Sequence, residues 1–252
     1  MRGMATIVFI LLTIGCVVGA FFAYKTLRLK AEVKMWKGYH DDAVARLEGL
    51  KIDFAQVSVY RTDNERLLNE TTLEQRKTMT VLFGASITKR WDTDGYFPNQ
   101  GIINRGVGSQ SDMQLLARFS SDVLQLDPGR VVLKICSGNF NPQADPEVIW
   151  DEFETMAITA ESRGIRPLLA TVIPATREAE EFEGYSMASE ISKFNDRIRN
   201  FAADRGFAVV DYYQALADSN GCLPGDVARD TIHPNDKGYE AMASVLGPIL
   251  ER

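Results

Sequence analysis

Histidine is scarce in this chain, with His40 and His233 the only two among 252 residues, and cysteine is nearly as rare at three. Three cysteines cannot build a disulfide framework. No C-x-x-C pair and no paired histidines occur, so no metal site or cofactor is expected. A net charge of -6 comes with no basic stripe, which argues against nucleic acid as a partner. Internal repeats and low-complexity tracts are absent too, excluding solenoid architectures. What remains is an ordinary globular composition, 45% hydrophobic and 25% charged.

One stretch departs from that average. Met4 to Tyr24, "MATIVFILLTIGCVVGAFFAY", carries no charge and is long enough for a bilayer, which needs roughly 20 residues. A cleaved signal peptide would have a shorter apolar core, and the run continues past Cys16. Residues 1–24 are therefore expected to form a single-pass membrane anchor. Lys25, Arg28, Lys30, Lys34 and Lys37 follow the run while only Arg2 precedes it, which favours keeping the bulk of the chain in the cytoplasm. Residues 25–77 are rich in charge and are expected to form a solvated helical stalk and linker.

From residue 78 to 252 the pattern changes. "MTVLFG" (79–84), "GIINR" (101–105), "RVVLKIC" (130–136), "RPLLATV" (166–172) and "FAVVDY" (207–212) are short apolar runs suited to a parallel sheet covered on both faces. Between them, 146–163 and 187–205 place apolar residues at helical spacing and stop at Gly164 and Gly206. This alternation predicts one doubly wound α/β domain of five mostly parallel strands. Ligands bind such folds at the carboxyl ends of the strands.

Four turns at that rim carry chemistry. "FGASITKRW" places Ser86 after the first strand, where a helix cap is the bland alternative. Thr88 stands where G-x-S-x-G needs its second glycine, so the nucleophile elbow of α/β-hydrolases is missing. "NRGVGSQSD" offers Gly106, Gly108 and backbone N–H groups in a tight turn. "CSGNFNP" ends the third strand with Asn139. "RDTIHPNDKG" sets Asp230 three residues before His233, either as a turn opening the last helix or as an acid and base. His40 lies in the stalk, which leaves His233 as the sole imidazole of the domain.

Taken in this order, the four blocks resemble the SGNH hydrolases, the GDSL-like lipases and esterases, across residues 79–250. The resemblance implies a three-layer α/β/α, flavodoxin-like fold and a serine mechanism. Ser86 would attack an ester or thioester carbonyl, His233 would take its proton, and Asp230 would orient the ring. The oxyanion would meet the Ser86 N–H, the Asn139 amide and an N–H at Gly108 or Ser109. Three departures stand out: Ala85 replaces the Asp of "GDS", Ser109 stands where the oxyanion glycine falls, and Phe140 replaces the Asp of "GxND". Trp91, Phe140 and Asn141 are expected to line the substrate site, the two rings as part of an aromatic wall, with core packing an equal alternative for the rings, and Cys136 and Cys222 are either thiols or one bridge. The substrate is expected to be a small ester, an acetylated glycan or a lipid. Transfer of an acyl group to a sugar hydroxyl, or glycan binding without catalysis, uses the same fold. The family's work on envelope glycans and lipids implies an extracytoplasmic domain, opposite to the charge asymmetry.

Overall fold

The computed structural model describes residues 2–180 and 185–251, with residues 2–20 and 180 described as backbone alone. The chain divides into two compact units, Met1–Ile52 and Asp53–Arg252. The first is one helix, α1 (Arg2–Ile52). Among the described residues no helix is long and apolar enough to cross a membrane. Most of the Met4–Tyr24 run expected to do so, Cys16 included, lies outside the described side chains.

The second unit starts before Thr78, the boundary expected from composition. Residues 53–77, expected as linker, carry α2 (Arg61–Glu70) and α3 (Leu73–Lys77) and fold with the hydrolase-like part. Several of their polar side chains bond to the sheet-bearing part. Buried Arg105 donates to Asn64 Oδ1 at 2.8 Å and to Asp63 Oδ2 at 2.7 Å, and the Tyr60 hydroxyl donates to the Gly106 carbonyl at 2.6 Å. Arginines and aspartates that look solvated in the sequence are thus partners across the fold.

Five strands form the sheet: β1 (Thr80–Gly84), β2 (Ile102–Gly106), β3 (Arg130–Leu133), β4 (Arg166–Ala170) and β5 (Ala208–Val210). Every pairing is parallel, in the order β2-β1-β3-β4-β5. The order reverses direction between β1 and β3, which opens a crevice at their carboxyl ends.

Strand side chains alternate between two cores, as the pleat requires. Val81, Phe83, Val131, Leu133 and Leu169 pack with α6 (Asp112–Phe119), α7 (Pro146–Ser162) and α8 (Met187–Arg205). Leu82, Val132, Leu168 and Ala170 face α9 (Tyr212–Leu216) and α10 (Asp236–Leu250), with Ile87 from the short α4 (Ser86–Lys89), which α5 (Thr93–Tyr96) follows. The result is the three-layer α/β/α arrangement. Residue choice at the helix ends agrees with it: Pro146 opens α7 behind an Asp145 cap, and Gly206 closes α8 at φ 70°.

Candidate active site

Ser86 is the first residue of α4, directly after β1. Ala85 holds the cap position and makes no side-chain cap bond, so the Ser86 hydroxyl is not used as a helix cap. Its backbone is pinned from two sides. The Asn104 amide donates to the Thr88 carbonyl at 2.7 Å, and the Tyr239 hydroxyl of α10 donates to the Ile87 carbonyl at 2.8 Å. Gly106 must be glycine here, because a Cβ would lie 2.1 Å from the Lys89 nitrogen.

Across the crevice, residues 228–234 form a tight turn closed by the Ala228–Pro234 bridge and an Arg229 N–H to His233 carbonyl bond of 2.8 Å. Inside it, Asp230 Oδ1 accepts from the Ile232 and His233 N–H groups at 3.1 and 2.9 Å. The His233 Nδ1 lies 2.8 Å from Asp230 Oδ1 and 2.9 Å from Oδ2. A carboxylate there requires the proton on Nδ1, which leaves Nε2 to accept. Nε2 lies 2.8 Å from the Ser86 Oγ. Partial burial pushes the Asp230 carboxyl up, but the Ile232 N–H and the His233 ring and N–H outweigh it, holding the group below its ordinary value. Asp230 is therefore the anion that an imidazolium would need. The same segment also opens α10, since Asn235 caps it by accepting from the Gly238 N–H at 3.2 Å. One stretch thus opens the last helix and brings Asp230 and His233 into contact.

A cavity of about 660 Å³ lies over these groups. Ser86, His233, Gly108, Ser109 and Asn139 all line it, so four rim turns converge on one space. Ser109 stands at φ 59°, the left-handed conformation that glycine adopts freely. The position where the family's glycine falls therefore keeps a glycine-like backbone with a serine side chain. Among the described residues, neither the Ser86 nor the Ser109 N–H donates within the protein. The Asn139 amide nitrogen donates one hydrogen to Asp112 Oδ1 at 2.5 Å, and its second hydrogen has no acceptor among the described residues.

Three expected substrate contacts are not in the cavity. Trp91 is buried among Tyr96, Phe97, Tyr212 and Tyr239, in the core beneath α10. Phe140 is fully buried, its ring 5.1 Å from that of Phe194. Asn141 serves its own turn, donating to the Asn139 carbonyl and accepting from the Gln143 N–H. Large apolar rings gain more by leaving water than by edging a polar cleft, which is why both aromatics turned inward. Cys136 and Cys222 are both buried and are not joined to each other.

Other contributors escaped the sequence reading. Buried Arg118 of α6 donates to Gln110 Oε1, Asp122 Oδ2 and the carbonyls of Gly84 and Arg105, tying the ends of β1 and β2 together. Gln110 and Gln114 in turn donate to the carbonyls of Ala55 and Phe54. The one available signal was an arginine on the apolar face of an amphipathic helix.

The sequence pattern of the GDSL-like lipase/acylhydrolase family matches residues 82–241. No curated protein matches the chain. Among solved structures, a GDSL-like lipase from Bacteroides thetaiotaomicron is 27% identical, with a TM-score of 0.67 over 79% of this chain and 98% of its own. A proposed acylhydrolase from Bacteroides fragilis is 25% identical, with a TM-score of 0.70 over 78% and 96%. An acetyl xylan esterase, 20% identical with a TM-score of 0.56 over 68% and 98%, shares the fold. With the pattern covering more than half of the chain, this protein belongs to the GDSL-like lipase/acylhydrolase family and is an ester-hydrolysing enzyme.

Proposed function

We propose that the protein is a serine esterase that removes a short acyl group from a polar alcohol such as a sugar, with Ser86, His233 and Asp230 as its triad. The observation that carries this reading is the unbroken chain of contacts from Asp230 through His233 to the Ser86 Oγ, each at 2.8 Å. The Ser86 Oγ attacks the ester carbonyl carbon while His233 Nε2 takes its proton. The oxyanion accepts from the free Asn139 amide hydrogen and from the Ser86 and Ser109 N–H groups. Collapse breaks the bond to the alcohol, which leaves with the proton from Nε2. Water then attacks the acyl-serine with the same histidine as base, releasing the acid and restoring Ser86.

Cavity chemistry supports the substrate class. Polar residues predominate among those that line it, with Lys89, Arg90, Ser109, Ser111, Gln110 and Gln114 beside the triad. Its apolar side chains are only Ala85, Cys136 and Ile232. With Trp91 and Phe140 in the core, no apolar trench for a long acyl chain lines this cavity among the described residues. A fluorophosphonate probe should label the wild type and not Ser86→Ala, and acetyl esters should be cleaved faster than octanoyl esters. Wild-type-like turnover by purified Ser86→Ala would remove the proposed nucleophile.

We also infer a membrane-tethered protein, with Met4–Tyr24 as anchor and the Asp53–Arg252 unit outside the cytoplasm. The apolar run supports the anchor, and the family resemblance supports the side; the Lys and Arg cluster after the run argues for the opposite side. Protease treatment of intact spheroplasts tests it. Digestion of the catalytic unit before lysis is expected, and survival until lysis would reverse the orientation.

A further inference from the structure

The Asn139 contact leads to a pair of acids that the mechanism above does not use. Asp112 opens α6, immediately after the Ser109 turn, and is buried. Its Oδ1 accepts from the Asn139 amide at 2.5 Å. It therefore joins the two rim turns that supply the oxyanion donors. Glu152 reaches the same carboxyl from α7, with its Oε2 buried and lacking a hydrogen-bond donor among the described residues. Glu152 and Asp112 are within hydrogen-bonding reach of each other. Two carboxylates cannot bond without a proton, and a buried acceptor with no donor is costly. One proton between them satisfies both observations.

Resting on the triad reading, we propose that Asp112 and Glu152 are a one-proton carboxyl pair that positions the Asn139 amide for the oxyanion, and that turnover requires the shared proton. Asp112 holds one amide hydrogen and thereby aims the other at the cavity. The proton keeps the pair at a single negative charge, where a second charge would oppose the developing oxyanion. Burial, followed by the hydrogen bond to Asp112 and its charge, pushes the Glu152 carboxyl up to about 7. Turnover should then fall as the pH rises through that value.

Other charged groups on the packed elements have different engagements. Arg118 pairs with Asp122, Glu154 accepts from the Trp150 indole, and Glu147 pairs with Arg197. Asp145 caps α7 and Asp151 is exposed. Lys89, Arg90 and His233 line the cavity. Neither Asp112 nor Glu152 takes part in an ion pair among the described residues.

The test is kcat for a soluble acetyl ester between pH 6.5 and 9, on the full-length protein. Wild type should lose at least tenfold from pH 6.5 to 9, whereas Glu152→Gln, whose amide supplies a permanent donor to Asp112, should change less than twofold. Asp112→Ala should lower kcat about 10–100-fold at pH 6.5 with KM changed less than twofold, because a misaimed donor is felt in the transition state. The proposal is overturned by a wild type without the alkaline fall, by Glu152→Gln retaining that fall, by a folded Glu152→Gln with no turnover, or by Asp112→Ala with wild-type kcat. Each of those results is compatible with Ser86-dependent turnover, which reports separately on the triad.

Discussion

At the scale of single residues, the turn at Ser109 shows a residue with a side chain holding the left-handed backbone that glycine adopts freely. Ser109 holds φ 59°, at a cost of about 1 kcal/mol for a residue with a Cβ. Ser109→Gly relieves that strain and loosens the unfolded chain, so stability should change by less than about 1 kcal/mol with activity kept. Ser109→Pro should be inactive, since proline can neither adopt this φ nor supply the N–H. Gly106→Ala should also be severe for a different reason: its Cβ would strike the backbone of α4 at Lys89 and displace Ser86. Steady-state kinetics on the three variants, with circular dichroism to confirm folding, separate these effects. An active, folded Gly106→Ala would show that the α4 backbone can move without harm.

Among the elements, β3 carries a conflict between its pattern and its charge. Beyond Leu133 the alternation continues through Lys134, which is buried and donates to the Ile135 carbonyl at 3.2 Å. Burial lowers its amine to about 8, with the Cys136 thiol pulling the other way. A base whose folded value lies below its unfolded one binds fewer protons when folded, so stability is reduced below pH 8 and recovers as pH rises from about 8 to about 10.5. The cost at pH 7 is of order 3 kcal/mol. Lys134→Met should therefore raise stability by about 1–3 kcal/mol at pH 7, with the gain shrinking above pH 10. Urea denaturation at both pH values measures it, and an equal gain at both would assign the effect to packing rather than charge.

For the molecule as a whole, the position where the catalytic unit begins decides what can be removed. A chain starting at Asp53 retains every contact of the second unit and should fold and turn over within about twofold of the full chain. A chain starting at Thr78 loses the partners of Arg105, Gln110 and Asp122 in residues 53–64. Each orphaned buried group costs about 1–3 kcal/mol, enough together to abolish cooperative unfolding in a domain of ordinary stability. Thermal melts of the two truncated chains check this, and equal melting temperatures would make the 53–77 segment dispensable.

Residues alone determined the layer order and the rim. Five apolar runs rich in β-branched residues, each followed by a helical or turn signal, admit little besides a parallel doubly wound sheet, and that topology sends Ser86, Ser109, Asn139 and His233 to one edge. Tertiary structure decided which way ambiguous side chains turned. Trp91 and Phe140 carry rings that suit a core or a cleft equally in one dimension, and packing drew both inward. The 53–77 stretch reads as solvated until Arg105, Gln110 and Asp122 supply its buried partners. Asp112 and Glu152 meet only because α6 and α7 pack side by side. A periodic pattern records which face of an element is apolar, but the partner of a buried charge is set by contacts between segments far apart in the chain.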